Sequence, residues 1–446
     1  MKIKERVLKY TIPLIDKIYF SIFRHYMSEE TKRFLYHLSF TFFATGIAAI
    51  IMFVVNIFAT RLLGPEEFGK YGVIISLGQI ITIFTTLGLS SILVKYIIPE
   101  KRGVNGILIL QTLIFTAVTS IAALLLFLLF KDVFMSLVNI DNSLFLILMI
   151  LVPFLTFFNI FEAFNKGFLR FKFQAIWQII NAFLIIFAFL LLFFVFRFQT
   201  FSAYILPFLL GYFAYSLITI IYFLRRREIT FNFSKALRNF PDFYKIIVYA
   251  KYTFLGGFIW YIISGLDKIF LNKFIGFNET GLFQAYLTAS ITVLGVFYTS
   301  LINVFFPTAT NFKNYRVVFD KIKKLSWLSF LPMILAEFII ISIILKLYGT
   351  QYEYNALYVL LFSLACFFYF WGGTVAWLAY AQGLKGVKYT FYTALFVSAL
   401  SVVINFILIP QYGMLGATIA FLFSMTLSFF LYFYILPIEK YVFNLD

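Results

Sequence analysis

One cysteine, two histidines and 19 acids set against 36 lysines and arginines are all that 446 residues offer in reactive or acidic side chains. A single Cys366 forms no intrachain disulfide, so oxidation has no part in the fold. His25 and His37, with no HExxH pattern and no cysteine cluster, make no metal site, and no cofactor is expected. Charged residues make up 12% of the chain, whereas 63% is hydrophobic and 22% aromatic. No soluble globule hides that much apolar surface. The net charge of +17 invites a nucleic-acid partner. The apolar runs overrule it, because they reach about 20 residues, enough to cross about 30 Å of hydrocarbon at about 1.5 Å per residue. The chain reads as an integral membrane protein with no nucleic-acid role.

Runs broken by charge or by Gly and Pro predict twelve helical spans, near 34–58, 72–95, 106–130, 144–162, 175–196, 201–224, 246–266, 282–306, 325–346, 356–380, 388–409 and 414–436. They are uniformly apolar and too long for barrel strands of about 9 to 11 residues. KDVFMSLVNIDNSL, after Phe130, suits a short interfacial helix. With the N-terminus inside, 29 of the 36 Lys and Arg fall on one side and 7 on the other, the positive-inside bias for both termini cytoplasmic in a cell membrane. The basic face meets anionic lipid. Residues 1–33, with basic groups among bulky apolar ones, Pro13 and no small-residue cleavage site, read as a cytoplasmic amphipathic segment rather than a cleaved signal. This topology predicts that, in a Cys366→Ala background, an impermeant thiol reagent added outside labels a cysteine at Asn278 and not one at Ser234. The reverse labelling would overturn the orientation.

RLLGPEEFGKYG, residues 61–72, holds four charges, a proline and three glycines between two apolar runs. KFIGFNETGLFQ, from residue 273, repeats its spacing 212 residues later: Arg61 falls on Lys273, Gly64 on Gly276, Glu67 on Glu279, Gly69 on Gly281 and Tyr71 on Phe283. At a slightly larger shift NKGFLRFKF matches AQGLKGVKY, Gly167 falling on Gly383, Lys172 on Lys388 and Phe173 on Tyr389. The chain therefore reads as two six-helix bundles, 34–224 and 246–436, joined by a basic linker at 225–245 and followed by a tail at 437–446. Six spans per half is an even number, so both halves run the same way, related by an axis along the membrane normal. Within the hairpin Gly64 and Pro65 suit a tight turn, Glu66 and Glu67 suit a first helical turn, and Gly69 lets helices approach. Arg61 and Lys273, at pseudo-equivalent span ends, are candidates to face a gap between the halves.

The stretch RLLGPEEFGKYGVIISLGQIITIFTTLGLSSILVKY resembles the signature region of the polysaccharide and O-antigen flippases in the multidrug/oligosaccharidyl-lipid/polysaccharide exporter superfamily. LDKIFLNKFIGFNETGLFQAY resembles that family's second-half segment, with an Asp followed by a basic residue, and IPQYGMLGATIAFLFS its Gly-rich entry to the last helix. The resemblance implies a MATE-like, V-shaped pair of bundles around a central cavity. It further implies outward movement of a polyprenyl-diphosphate-linked oligosaccharide by alternating access, beside polysaccharide-assembly proteins.

A charge at the bilayer centre costs about 2.5 to 3.5 kcal/mol on insertion scales, so intramembrane charges mark the path. Lys251, Asp267 and Lys268 in the seventh span join Arg61 and Lys273 as candidates for an anionic headgroup, and Asp267 and Glu337 as candidates for a coupling ion. Two readings stand for Asp267 and Lys268, a mutual pair or a cavity lining, and two for Glu337, a protonated packed acid or a cavity acid. Lys95, Lys251 and Glu162 also suit the interface, and His37 lies in the first span. Trp260, Tyr261 and Trp371 are unspecific sugar platforms. GFNETGL has the glycine spacing of a phosphate loop but Leu282 in place of Lys, so no ATPase is indicated. Outer connections of about 15 residues leave little room for the catalytic loops of a polysaccharide polymerase or glycosyltransferase. A multidrug antiporter of the same superfamily is the nearer rival.

Overall fold

The computed structural model describes residues 29–97, 102–168, 170–226, 233–238, 240–309, 314–435 and 442. The described chain is helical. Glu29–Thr86 is a pair of helical arms (α1) that meet at Gly64, whose φ of 80° breaks the helix in front of Pro65. Leu89–Tyr96 (α2) prolongs the second arm. The first half continues through Arg102–Leu129 (α3), the short Lys131–Val138 (α4), Asn142–Gly167 (α5), Phe171–Leu190 with a π-helical turn at Leu191–Val195 (α6) and Ser202–Arg225 (α7). After Phe233–Arg238 (α8), the second half runs Phe240–Phe274 (α9), Phe277–Leu287 (α10), a π-turn at Thr288–Thr292, Val293–Ala309 (α11), Tyr315–Tyr348 (α12), Ala356–Tyr380 (α13), Leu384–Tyr412 (α14) and Met414–Phe430 (α15). Among the described residues ten helical stretches meet the length and hydropathy needed to cross a membrane. The first, Ala48–Thr86, contains the kink and so carries the expected first two spans. α9, 35 residues long, is about 52 Å at 1.5 Å per residue and crosses as well.

Several helices outrun their apolar runs. α12 starts at Tyr315, ten residues before the expected span, because Asn314 accepts a hydrogen bond from the Val317 amide and caps it. The short helix expected after Phe130 is α4. Asn278 and Ser234, the two labelling positions, are both exposed. The termini, 1–28 and 443–446, lie outside the described residues, as do the side chains of His37, Lys95, Lys251 and Trp260.

The apolar interior is divided by the membrane axis as well as by the repeat. One cluster joins Val55 and Ala59 of the first arm to Leu271, Phe283 and Ile341 of the second half. A second lies wholly in the second half, around Tyr298, Phe319, Ile334 and Phe429. Large apolar side chains such as Leu129, Val195 and Phe187 stand more than 60% exposed on the rim. In water such a surface would aggregate; facing lipid it is matched to its solvent.

Candidate functional site

The two hairpins that repeat in the sequence touch in space. A Cβ built on Gly69 would lie 2.0 Å from the Phe277 carbonyl oxygen, and one on Gly281 would lie 1.7 Å from the Pro65 carbonyl oxygen. Gly69 and Gly281 are counterparts under the 212-residue shift, and so are Pro65 and Phe277. The contact is therefore isologous: each partner presents the same patch to the other across a pseudo-twofold axis. Only glycine allows backbones this close. Gly64 and Gly276, also counterparts, hold φ at 80° and 126°, where a side chain would be strained.

The same reciprocity extends outward. Lys273 Nζ donates to the Ser136 carbonyl at 2.6 Å, and Asn272 Nδ2 donates to the carbonyls of Val138 (2.7 Å) and Asn139 (3.0 Å), so the end of α9 grips the C-terminal end of α4 in the other half. In mirror fashion the Arg61 carbonyl accepts from Gln351 Nε2 at 2.7 Å and the Thr60 carbonyl from the Tyr352 hydroxyl at 3.0 Å, binding the end of the first arm to the connection before α13. Arg61 and Lys273 thus occupy equivalent latches. Both side chains are exposed at the hairpin end rather than lining a buried gap. The acids act within each half. Glu67 Oε2 accepts from the Phe201 amide at 2.7 Å, at the entry to α7, and its counterpart Glu279 Oε2 accepts from the Met414 amide at 3.0 Å, at the entry to α15. A carboxylate there satisfies a free helix N–H and meets the positive end of the macrodipole. Glu66 and Glu67 also hold Lys70, at 3.1 and 2.5 Å.

Below the hairpins the seam continues through small residues. Gly72 faces Gln284, Gly265 faces Ser76 and Ile80, and Gly257 faces Ile83, before Phe84 meets Phe254 and Phe258 edge to face. Lys268 lies on this side of α9, one turn after Gly265 and one turn before Asn272, and is 6% exposed. Asp267, 2% exposed, turns instead toward α14, where it accepts from Asn405 Nδ2 at 2.6 Å; Ser401 supports Asn405 from one turn away. The two charges act on each other, but a neighbouring pair on one helix points apart by about 100°. Lys268 therefore belongs to the seam and Asp267 to the interior of the second half. The first-half counterpart of Lys268 is Asn56, whose side-chain oxygen accepts from the Tyr204 hydroxyl, so the repeat supplies the scaffold on both sides and the cation on one.

Glu337 is 6% exposed in the second half, with Cys366 as its hydrogen-bond partner. Glu162 is half-buried, joined to Lys166 at 3.1 Å and to Gln174 at 2.8 Å. Trp371 donates to Ser329 at 2.9 Å, a packing role rather than a sugar platform. Sequence reasoning passed over Asn56, Asn272 and Asn405. Each is a single amide in an apolar run, VVNIF, FLNKF and VINFI, and that was the available signal.

Two bundles of spans meeting at a pseudo-twofold seam, with a buried cation beside it, define a membrane protein of the flippase and exporter architecture. Solved structures share that fold. The chain matches a lipid II flippase, MurJ, in an inward closed conformation with a TM-score of 0.67 at 19% identity, covering 89% of this chain and 88% of that one. It matches an inward-facing multidrug resistance MATE family transporter with a TM-score of 0.63 at 12% identity over 95% and 96% of the two chains. It also matches a MOP superfamily transporter from Pyrococcus furiosus, with a TM-score of 0.61 at 13% identity over 89% and 93%. Residues 35–313 match the polysaccharide biosynthesis protein family. The chain belongs to that family. No curated protein sequence matches it.

Proposed function

We propose that the protein carries a polyprenyl-diphosphate-linked oligosaccharide from the inner to the outer leaflet by alternating access, for polysaccharide biosynthesis. Membership of the polysaccharide family supports the substrate class. The observation that carries the mechanism is the seam itself: a glycine-to-glycine, symmetry-matched contact closes the hairpin end and parts without rearranging either half. Lys268 is placed so that parting the halves exposes an ammonium group to an entering diphosphate, which binds compact cations strongly in a partly dry cavity. Lys251, Arg61 and Lys273 complete the basic set, the last two at the mouth, while Asp267 and Glu337 serve a coupling ion. Both termini lie on the cytoplasmic side in this reading, and the structure is the form closed to the outside. The similarity to a lipid II flippase fits a lipid-linked substrate. A second reading, a multidrug and cation antiporter, draws on the Asp267–Asn405 pair as a cation site and on the MATE likeness.

The two readings separate on voltage. An anionic headgroup leaving a negative interior gains about 2.3 kcal/mol per charge per 100 mV, or about 4.6 kcal/mol for two uncompensated charges. Headgroup exposure in proteoliposomes under a potassium-valinomycin potential is expected to depend on the sign of the potential and to need no ATP. A rate indifferent to sign, or one requiring ATP, would sink the proposal.

A further inference from the structure

α12 carries an acid where its neighbours are apolar on both sides. Ile334, one turn before Glu337, belongs to the second-half cluster around Phe319 and Phe429, and Ile341, one turn after, belongs to the cluster that joins the two halves. Glu337 sits 11 residues before Tyr348, at the end of α12, which is about 16 Å along the axis at 1.5 Å per residue and near mid-membrane. It is buried, and its Oε2 has no hydrogen-bond partner.

The partner of the carboxyl group is the Cys366 thiol of α13, which also reaches Ser290. Ser290 lies in the π-turn Thr288–Thr292, and its hydroxyl donates to the Tyr286 carbonyl at 2.6 Å. π-turns of this kind gather at functional sites, because the extra residue displaces side chains from the regular ladder. The helices packed against α12 are α13, α10 with its π-turn, and α1. Across them Cys366 is the titratable group that acts on Glu337 among the described residues, and Cys366 acts in turn on Tyr369, one turn along α13.

Burial fixes the protonation. The Cys366 thiol is the donor that the carboxyl group meets, and the second carboxyl oxygen, Oε2, meets none. An ionised Glu337 would be a buried anion with a weak S–H as its sole donor. A metal cation fits poorly, since hard cations take a shell of oxygens and the group offered here is a thiol; no cluster of three acids, histidines or cysteines occurs among the described residues.

We propose that Glu337, Cys366 and Ser290 form a proton-binding site in the second half, separate from the Asp267–Asn405 pair, that holds one exchangeable proton while the hairpin end is closed. Loading is a simple transfer: hydronium gives its proton to a carboxylate oxygen and leaves as water when water reaches the site. The site is independent of what the protein carries.

The test is infrared difference spectroscopy of the full-length protein in lipid nanodiscs across a pH titration in H2O and D2O. A protonated-carboxyl band is expected in the native protein and in Asp267→Asn, and is expected to vanish in Glu337→Gln. Cys366→Ser, which replaces the weak thiol donor with a hydroxyl, should shift the band without removing it, so the assignment does not depend on Glu337→Gln folding normally. A band absent from the native protein, a band that survives in Glu337→Gln, or a band bleached by exchanging potassium for sodium at constant pH would overturn the proposal.

Discussion

Gly281→Ala is expected to open the hairpin end. Alanine favours the helix by about 1 kcal/mol over glycine, so α10 itself gains stability. Its new methyl group would meet the Pro65 carbonyl oxygen at 1.7 Å, which forces the halves apart. Overpacking costs about 1 to 3 kcal/mol, and at about 1.4 kcal/mol per factor of ten the closed-to-open ratio falls about 5- to 140-fold. A cysteine at Ser76, buried in the seam opposite Gly265, reads this out: its labelling by a reagent on the hairpin side should speed up by about the same factor. Gly69→Ala, the symmetry counterpart, should act equally, and the native Cys366, fully buried, should stay unlabelled in both. An unchanged Ser76 labelling rate in Gly281→Ala would show that the hairpins do not gate the seam.

Neutralising Lys268 alone should be more harmful to the protein than neutralising Asp267 and Lys268 together. Lys268→Gln leaves the Asp267 carboxylate buried with Asn405 as its donor but without the neighbouring cation that acts on it, and an uncompensated buried charge costs about 3 to 5 kcal/mol. Asp267→Asn, Lys268→Gln removes both charges and should regain much of the heat stability, the non-additivity expected of interacting sites. Export should not recover with it: glycan transport is expected to stay below about a tenth of the native rate at equal protein level in the membrane, an energy of about 1.4 kcal/mol or more. Full export by the double variant would remove both residues from the mechanism.

The apolar runs that become helices and the shift between the halves were legible because they rest on local patterns, apolar run lengths and a recurring Gly and acid spacing. The roles of those repeated residues were not. Glu67 looks like a helix-starting acid for its own helix, yet its partner is an amide 134 positions away at Phe201. Gly69 was expected to let helices approach, but the sequence does not say that the approaching backbone is its own counterpart. Asp267 and Lys268 read as one pair, and a turn of about 100° between adjacent helical residues sends one to the seam and the other to Asn405. Glu337 stood out as hard to place at an interface, and the structure keeps it buried; its thiol partner lies on a different span, beyond the reach of spacing arguments.

The carboxylates of Glu67 and Glu279 give the hairpins a mechanical role as well. Each hairpin touches the opposite half through a glycine and is moored to its own sixth span by an acid two residues away in sequence. Any load that pries Gly69 from Gly281 is carried through those carboxylates into the Phe201 and Met414 amides, so α7 and α15 swing with the hairpins instead of being left behind. The anchor points are peptide N–H groups, present whatever side chain stands there, which leaves the two glutamates as the replaceable links in the load path. Each half is thereby built to turn as one lever, with the glycine contact as the surface on which the two levers rest.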